Sequence, residues 1–482
     1  MNKRMILYIQ GAILLIEAAI MVLPIAAALI YREPSGIWFF YTALAAAIVG
    51  FAAMKLAKPR SKTIYAKEGL IAVAAGWIVL SLVGALPFTL SREIPFYLDA
   101  VFEMISGFTT TGSSILPNVE ALSRCMLLWR SFSHWLGGMG ILVFMLIVLP
   151  LAGGQTIYLM RAESPGPSVS KISPHMRDTA LILYAIYFGL TVLQIILLLF
   201  GGMPMFDAIC VSLGTAGTGG FGNWNNSIAH YDSAYLQNVI SVFMILFGIN
   251  FNAYFLLLTR KFKQLFKIEE IRVYLGVIAV FTTLIAFNVR GCFGSLRESF
   301  HHSLFQVASI ITTTGFSTVD FNQWPAFSKL LLVLLMFIGA CAGSTGGGMK
   351  CSRILLLFKG VKKEMMSLIH PRLVRVHKMD GQRVQHEVMR SVNAFLVAYL
   401  IVIATSILIV SLHCEDMVTS FTSVVTCINN VGPGLNQVGP AANFGALHPL
   451  SKIVLTFDML AGRLELFPML LLFAPETWRR NR

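Results

Sequence analysis

The sequence predicts an all-α integral membrane protein with two N-terminal spans followed by four similar repeats. Composition is the first observation behind this prediction: 56% of the 482 residues are hydrophobic, 12% are charged, and the mean hydropathy is +0.74. A soluble domain carries about 25% charged residues. The second observation is a series of apolar runs of roughly 20 residues, the length that crosses a bilayer as a helix. The third is a shorter, glycine-ended segment that occurs four times between those runs.

Ten apolar runs are long enough to be spans. Helices are expected because open strands cannot satisfy their backbone groups in lipid, and the alternation typical of a β-barrel does not occur. The predicted spans are 8–30, 37–56, 68–90, 127–150, 179–200, 235–258, 271–290, 328–358, 391–412 and 449–475. A signal peptide is the alternative for the first run, but its length and the lack of a clear cleavage site favour a retained span.

The net charge of +14 comes largely from basic stretches that follow the second, sixth and eighth spans and end the chain at "WRRNR". Lysine and arginine concentrate in cytoplasmic loops. Both termini are therefore predicted on the cytoplasmic side, and nucleic acid is not an expected partner.

The four shorter segments each read as a half-length amphipathic helix, a threonine- or asparagine-rich step and a glycine. They are "YLDAVFEMISGFTTTGSS" (97–114), "MFDAICVSLGTAGTGGFG" (205–222), "SFHHSLFQVASIITTTGFST" (299–318) and "EDMVTSFTSVVTCINNVGPGL" (415–435). We align Gly112, Gly219, Gly315 and Gly432. The predicted divisions are a two-span hairpin at 1–62 and repeats at 63–165, 166–265, 266–380 and 381–482.

These four segments predict a pore on the axis between the repeats. A half-length helix leaves non-helical backbone at membrane depth, which is tolerated only where protein covers it or a water-filled cavity lines it. Loop carbonyls can replace the hydration shell of a cation, and helix C-termini favour positive charge. Threonine–glycine pairs also occur at ordinary helix contacts, so the prediction depends on the four copies. We expect four pseudo-symmetric span–pore-helix–filter–span repeats around a central pore.

The chain resembles the ion-translocating subunit of the Trk/Ktr/HKT potassium transporter superfamily, within its TrkH group. The resemblance covers essentially the full length and rests on "GFTTTG", "TGGF", "TTTGF", "NNVGPGL", "GGMGI", "CAGSTGGGMK" and "GRLELF". It implies potassium uptake across the bacterial cytoplasmic (inner) membrane, with potassium as the substrate, no enzymatic activity and no covalently bound cofactor. Glycine at each aligned filter position favours potassium over sodium.

The resemblance implies that potassium binds at four filter segments, and the residue pattern predicts no other metal site. The residues are Thr110, Thr111, Gly112 and Ser113; Gly217, Thr218, Gly219 and Gly220; Thr313, Thr314, Gly315 and Phe316; and Asn430, Val431, Gly432 and Pro433. The second segment is unusual, because Gly217 stands where relatives more often carry a side chain.

A glycine-rich segment, "CAGSTGGGMK" at 341–350, interrupts the eighth predicted span. Glycine is about 1 kcal/mol worse than alanine in a helix interior, so the helix is predicted to open into a loop here. Counting from the outer ends of the spans puts Arg463 at the same depth. We predict a movable gate below the filter. Its residues are Gly343, Ser344, Thr345, Gly346, Gly347, Gly348, Lys350 and Arg463.

Two alternatives stand against this gate. Arg463 pairs structurally with Glu465, Asp458 or a carbonyl if it has no gating role. The segment also resembles a phosphate loop, but Met349 separates the last glycine from Lys350 and no strand precedes it, which argues against nucleotide binding.

Structural roles are expected for most other polar residues within spans. Glu17 lies on a peripheral span, where helix packing is favoured over ion binding. Asn250 and Asn252 either face the vestibule or make packing hydrogen bonds. Arg130 and His134 are expected to be structural.

No metal-ligand pattern is found around His301–His302 or among the seven scattered cysteines. The basic loop 359–390 suits anionic lipid. The resemblance adds a separate cytosolic, TrkA-like nucleotide-binding regulatory subunit docked there, and a homodimer with one pore per chain. The alternative function is an ion-coupled secondary transporter for another small solute or for sodium, against which parallel repeats and outward-facing half-helices argue.

Overall fold

The structure is a computed structural model that describes residues 2–58, 66–140, 176–371 and 376–478. Apart from one two-stranded hairpin, the regular secondary structure of these residues is helical. Six of their helices are long and apolar enough to cross a membrane, or seven if one bent pair is counted as a single span. The predicted all-α membrane fold is therefore confirmed.

An N-terminal helical hairpin precedes the first repeat. The hairpin contains α1 (Lys3–Ile20), α2 (Val22–Tyr31) and α3 (Gly36–Leu56). The first repeat contains α4 (Ala66–Leu90), α5 (Tyr97–Phe108) and α6 (Arg124–Gly138). Helices α1 and α3 approach closely through two glycines, since a Cβ at Gly11 would lie 2.7 Å from the carbonyl oxygen of Gly50. The predicted span 127–150 begins in α6 and continues into residues outside the described part of the chain.

The second and third repeats follow. The second contains α7 (Met176–Phe200), α8 (Met205–Gly217), α9 (Ala234–Phe247), α10 (Phe251–Leu258) and α11 (Phe262–Leu265). The third contains α12 (Glu269–Asn288), α13 (Leu296–Ile311), α14 (Ala326–Ile338) and α15 (Cys351–Ile369).

A small antiparallel hairpin and the fourth repeat complete the described chain. Strands β1 (Lys378–Met379) and β2 (Gln382–Arg383) pair around a turn at Asp380–Gly381, in register Lys378 to Arg383. The fourth repeat contains α16 (His386–Ser411), α17 (Met417–Ile428), α18 (Pro449–Arg463), α19 (Phe467–Phe473) and α20 (Pro475–Trp478).

Four short helices, α5, α8, α13 and α17, are the half-helices that the sequence predicts. Two of them are capped by side chains that accept from free backbone N–H groups. Ser295 caps α13 by accepting from Glu298, and Asp416 caps α17 by accepting from Val418 and Thr419. Almost every residue in the C-terminal halves of these helices is buried, so they lie inside the protein rather than against lipid.

Three inner spans are broken within the described ranges, whereas the sequence predicted one break. Helices α9 and α10 bend by 92°, and residues 464–466 separate α18 from α19. The predicted spans at 235–258 and 449–475 therefore each contain an interruption that the sequence did not indicate. At the first bend, Phe251 N–H donates to the Gly343 carbonyl at 2.9 Å and Cys341 N–H donates to the Gly248 carbonyl at 3.0 Å. Tertiary hydrogen bonds thus replace helical ones.

Candidate functional site

Each short helix ends in the same backbone motif, in which one residue is left-handed and the chain then turns toward the centre. The left-handed residue donates to the carbonyl three positions back, and the next residue donates to the carbonyl five positions back, the two bonds of a Schellman motif. A glycine with positive φ follows two positions after the left-handed residue. The left-handed residues are Thr110, Thr218, Thr313 and Asn430, with φ between 53° and 57°. The glycines are Gly112, Gly220, Gly315 and Gly432, with φ between 80° and 104°.

The backbone of these four loops forms a closed ring. A Cβ added to any of the four positive-φ glycines would lie close to a backbone carbonyl oxygen of the next loop. The distances are 2.0 Å for Gly112 to Gly219 O, 1.9 Å for Gly220 to Thr314 O, 2.3 Å for Gly315 to Val431 O and 2.8 Å for Gly432 to Thr111 O. Only glycine fits at these positions, both for its φ and for the contact.

The second loop is displaced by one residue from the sequence prediction. Gly220, not Gly219, has the positive φ of the other three filter glycines. The equivalent segment is therefore Thr218–Gly219–Gly220–Phe221, and Gly217 is the last residue of α8. The error arose because α8 continues further toward the glycine pair, and two adjacent glycines leave the register open in the sequence. The unusual position of Gly217 disappears with this correction.

A polar cavity of about 130 Å³ opens above this ring. All four positive-φ glycines line it, together with Ser113, whose hydroxyl donates to the Gly432 carbonyl at 3.0 Å. Gly220 lines this cavity and Gly219 does not, in agreement with the corrected register.

His134 explains why residue 219 is also glycine. A Cβ at Gly219 would lie 2.2 Å from the imidazole. One ring nitrogen, Nδ1, lies 2.8 Å from the Gly107 carbonyl oxygen, and Phe221 N–H donates to Nε2 at 3.2 Å. Because a carbonyl only accepts, Nδ1 carries the proton. His134 thus connects the first pore helix to the second filter loop.

A buried ion pair holds the first loop from behind. Glu103 and Arg130 lie 2.8 Å apart and are both almost fully buried. Glu103 also accepts from Ser114 Oγ and from Ile115 N–H at 2.9 Å, directly after the filter segment. The sequence predicts a structural role for Arg130 but does not indicate Glu103. The available signal was a second carboxylate, in the apolar middle of a pore helix that already carries Asp99 in its first turn.

The predicted glycine-rich segment is non-helical from Gly339 to Lys350 between α14 and α15; we call these residues the gate loop. It lies against the C-terminal ends of the third and fourth pore helices. Gly347 N–H donates to Thr313 Oγ1 at 2.6 Å, and a Cβ at Gly347 would lie 2.5 Å from the Asn429 carbonyl oxygen. Within the loop, Lys350 Nζ donates to the Gly346 carbonyl.

Arg463 reaches the gate loop from the fourth repeat. Its Nη1 donates to the Thr345 carbonyl at 2.8 Å, and its Nη2 donates to Gly137 O at 2.5 Å and Gly138 O at 3.0 Å. The alternative partners have other contacts. Glu465 pairs with Arg353 on α15, and Asp458 accepts from Ser406.

The other predicted residues lie away from the ring. Asn250 Oδ1 caps α10 by accepting from Asn252 N–H at 2.9 Å, and it packs on Gly343. Glu17 is fully buried against α4, and neither carboxylate oxygen has a hydrogen-bond partner among the described residues.

The histidine pair at the outer end of α13 forms hydrogen bonds to side chains. His301 contacts Gln237 at 2.7 Å, and His302 contacts Thr318 at 2.9 Å. Within the described ranges, no three His, Cys, Asp or Glu residues are grouped so that they could hold a metal ion.

Comparisons with known proteins agree with this geometry. The family described as TrkH, cation transport protein, matches residues 37–480. The Trk system potassium uptake protein TrkH of Salmonella typhimurium is 38% identical over 99% of this chain and 100% of its own length. An uncharacterized cation transporter of Methanocaldococcus jannaschii is 30% identical over 97% of this chain and 95% of its own. The crystal structure of the potassium transporter TrkH from Vibrio parahaemolyticus superimposes with a TM-score of 0.89 at 32% identity, covering 99% of this chain and 100% of that one.

Proposed function

The chain belongs to the TrkH family of cation transport proteins, and we propose that it takes potassium into the cell through the ring of four filter loops, with the gate loop closing the path below. The observation that carries this proposal is the repeated loop backbone, in which four glycines each pack on a carbonyl of the next loop. Carbonyl oxygens so placed can replace the hydration shell of potassium, and the ion is the substrate rather than a cofactor.

Dehydration is the first step of the proposed mechanism. The ion leaves the polar outer cavity and binds carbonyls of the residues that precede the filter glycines. These residues are Thr111, Gly219, Thr314 and Val431. The C-terminal ends of four half-helices face the site, and their dipoles favour a cation. The gate loop lies next along the path, where Lys350 and Arg463 add positive charge.

The proposed orientation and partners follow from charge and from the family. The basic stretches at 259–267 and 359–390 lie on the predicted cytoplasmic side, with both termini, in a bacterial inner membrane. The names of the relatives place them in a Trk system, which supports a separate cytosolic TrkA-like nucleotide-binding subunit as regulator. A homodimer with one pore per chain belongs to the same proposal.

Growth of potassium-uptake-deficient cells at low potassium tests the function. The wild-type chain should restore growth, and Gly315→Ser should abolish the rescue or admit sodium, because φ is +84° and a Cβ would lie 2.3 Å from Val431 O. Gly276→Ser on α12 is the matched control, since a Cβ there meets no atom within 4 Å. If both variants retained wild-type growth and potassium preference, the filter assignment would be wrong.

A further inference from the structure

The two ends of the gate loop converge on one buried carboxylate. Glu270 lies in the first turn of α12 and is 3% exposed. Its Oε1 accepts from Ala342 N–H at 2.6 Å and from Ser352 N–H at 2.9 Å. Ala342 lies near the start of the gate loop, and Ser352 lies just after its end. One side-chain oxygen therefore bridges the loop at its base.

This contact also caps α15, whose own preceding residue provides no side-chain cap. The residue that precedes α15, Lys350, has φ +75° and makes no side-chain capping hydrogen bond. The first N–H groups of a helix have no partner within the helix, and a negative charge there interacts favourably with the helix dipole. Glu270 provides both from a neighbouring helix. The carboxylate thus ties the start of α15 to α12, in addition to the hydrogen bond from Cys351 N–H to the Ala340 carbonyl at 3.0 Å.

The position of Glu270 is itself fixed at the cytoplasmic end of α12. Glu269 pairs with Lys359 on α15, and Glu269 N–H donates to Asp380 Oδ1 at 2.7 Å. Lys359 also donates to the Lys378 carbonyl at 2.7 Å. The β1–β2 hairpin, α12 and α15 are therefore joined at one point, which leaves the Glu270 carboxylate little freedom to follow a moving loop.

We propose that Glu270 is a positioning residue that holds the gate loop in its closed conformation by bridging Ala342 and Ser352. Opening the loop across the pore requires at least one of these hydrogen bonds to break. Hydrogen bonds to a buried charge are about twice as strong as neutral ones, so the carboxylate stabilises the closed conformation of the loop relative to the open one. This inference rests on the proposed function, because it assumes that residues 339–350 obstruct the ion path.

Three substitutions separate the effect of the length of the Glu270 side chain from the effect of its charge. Glu270→Gln keeps an acceptor oxygen at the same reach, Glu270→Asp keeps the charge but shortens the side chain, and Glu270→Ala removes both. Glu387→Gln is the matched control, since Glu387 also lies in the first turn of a helix, α16, but is exposed. Glu270→Asp also guards against misfolding, because it retains a carboxylate at the same position while withdrawing it from the two N–H groups.

The readout is potassium flux into proteoliposomes that hold the purified full chain, with the potassium-to-sodium ratio and the apparent KM measured in parallel. Glu270→Asp should raise maximal flux about tenfold, the change expected from losing one charge-assisted hydrogen bond. Glu270→Ala loses both bonds and should raise maximal flux at least as much. Glu270→Gln should fall between these variants and wild type. KM and the ion ratio should stay unchanged, since the filter loops lie above the gate loop.

Wild-type flux in Glu270→Asp and Glu270→Ala would overturn the proposed role of Glu270 while leaving the proposed function intact. A change in ion ratio at unchanged maximal flux would also overturn it, because Glu270 would then act on the filter. Absence of potassium flux in the wild-type chain would instead contradict the proposed function.

Discussion

Four residues of the filter loops keep side chains at a backbone conformation that favours glycine. Thr110, Thr218, Thr313 and Asn430 are left-handed, which costs roughly 1–2 kcal/mol for each residue that carries a Cβ. At two of them the side chain forms a hydrogen bond to another segment of the chain, which glycine could not. Thr313 Oγ1 accepts from Gly347 of the gate loop, and Asn430 Nδ2 donates to Thr111 Oγ1 at 3.0 Å. At these two positions the strained residue keeps a side chain that connects its filter loop to a neighbouring segment.

The corrected register of the second loop gives a prediction for two adjacent glycines. Gly219→Ala meets a side chain, the His134 imidazole, whereas Gly220→Ala meets the Thr314 backbone at 1.9 Å and has φ +80°. His134→Ala should therefore relieve Gly219→Ala but not Gly220→Ala. Potassium uptake by Gly219→Ala/His134→Ala should equal that of His134→Ala alone, and Gly220→Ala/His134→Ala should remain inactive. The opposite pattern of rescue would restore Gly219 as the filter glycine.

At the scale of elements, the sequence predicted the helices well and their interruptions poorly. Apolar length and terminal glycines indicate half-helices and long spans in a sequence, so α5, α8, α13 and α17 could be placed. The bend between α9 and α10 could not, because it depends on hydrogen bonds to a loop about 90 residues away in the chain. The break after Arg463 has no glycine run either; Glu465 and Leu466 adopt positive φ, and Glu465 pairs with Arg353.

The start of the fourth pore helix gives a prediction for acid stability. Side-chain hydrogen bonds from Thr419 and Asn436 lower the pKa of Asp416 to about 2, below the value of about 3.9 expected in an unfolded chain. Its stabilisation is therefore present above about pH 4 and is lost as the pH falls toward 2. The melting temperature of the wild-type chain should exceed that of Asp416→Asn by a constant amount above pH 4, and the gap should narrow below it.

Thermal unfolding in detergent between pH 6 and pH 2.5 measures this gap. Asp232→Asn, in the exposed turn before α9, is the matched control and should run parallel to wild type throughout. A gap for Asp416→Asn that stays constant to the lowest pH would show that the carboxylate does not contribute through its charge.

Across the whole molecule, the gate loop is the place where all four repeats meet. The third repeat supplies the loop, the second contributes the Gly248 and Phe251 backbone, and the fourth contributes Arg463. Arg463 extends the contact to the first repeat through Gly137 and Gly138. Sequence depth alone placed Arg463 level with the loop, but its two-sided bonding required the folded structure. A pseudo-symmetric ring is thus closed below by contacts that have no fourfold symmetry.

This arrangement predicts that Arg463 acts by linking two segments through its two guanidinium nitrogens rather than by its positive charge alone. One guanidinium nitrogen binds Thr345 and the other binds Gly137 and Gly138, a geometry that the single ammonium of lysine cannot reproduce. Arg463→Lys and Arg463→Gln should therefore raise potassium flux alike, by about tenfold for each charge-assisted hydrogen bond lost. Arg272→Gln, an exposed residue on α12, is the control and should leave flux unchanged. If Arg463→Lys kept wild-type flux while Arg463→Gln did not, positive charge below the filter, and not the link between repeats, would be what restrains the ion.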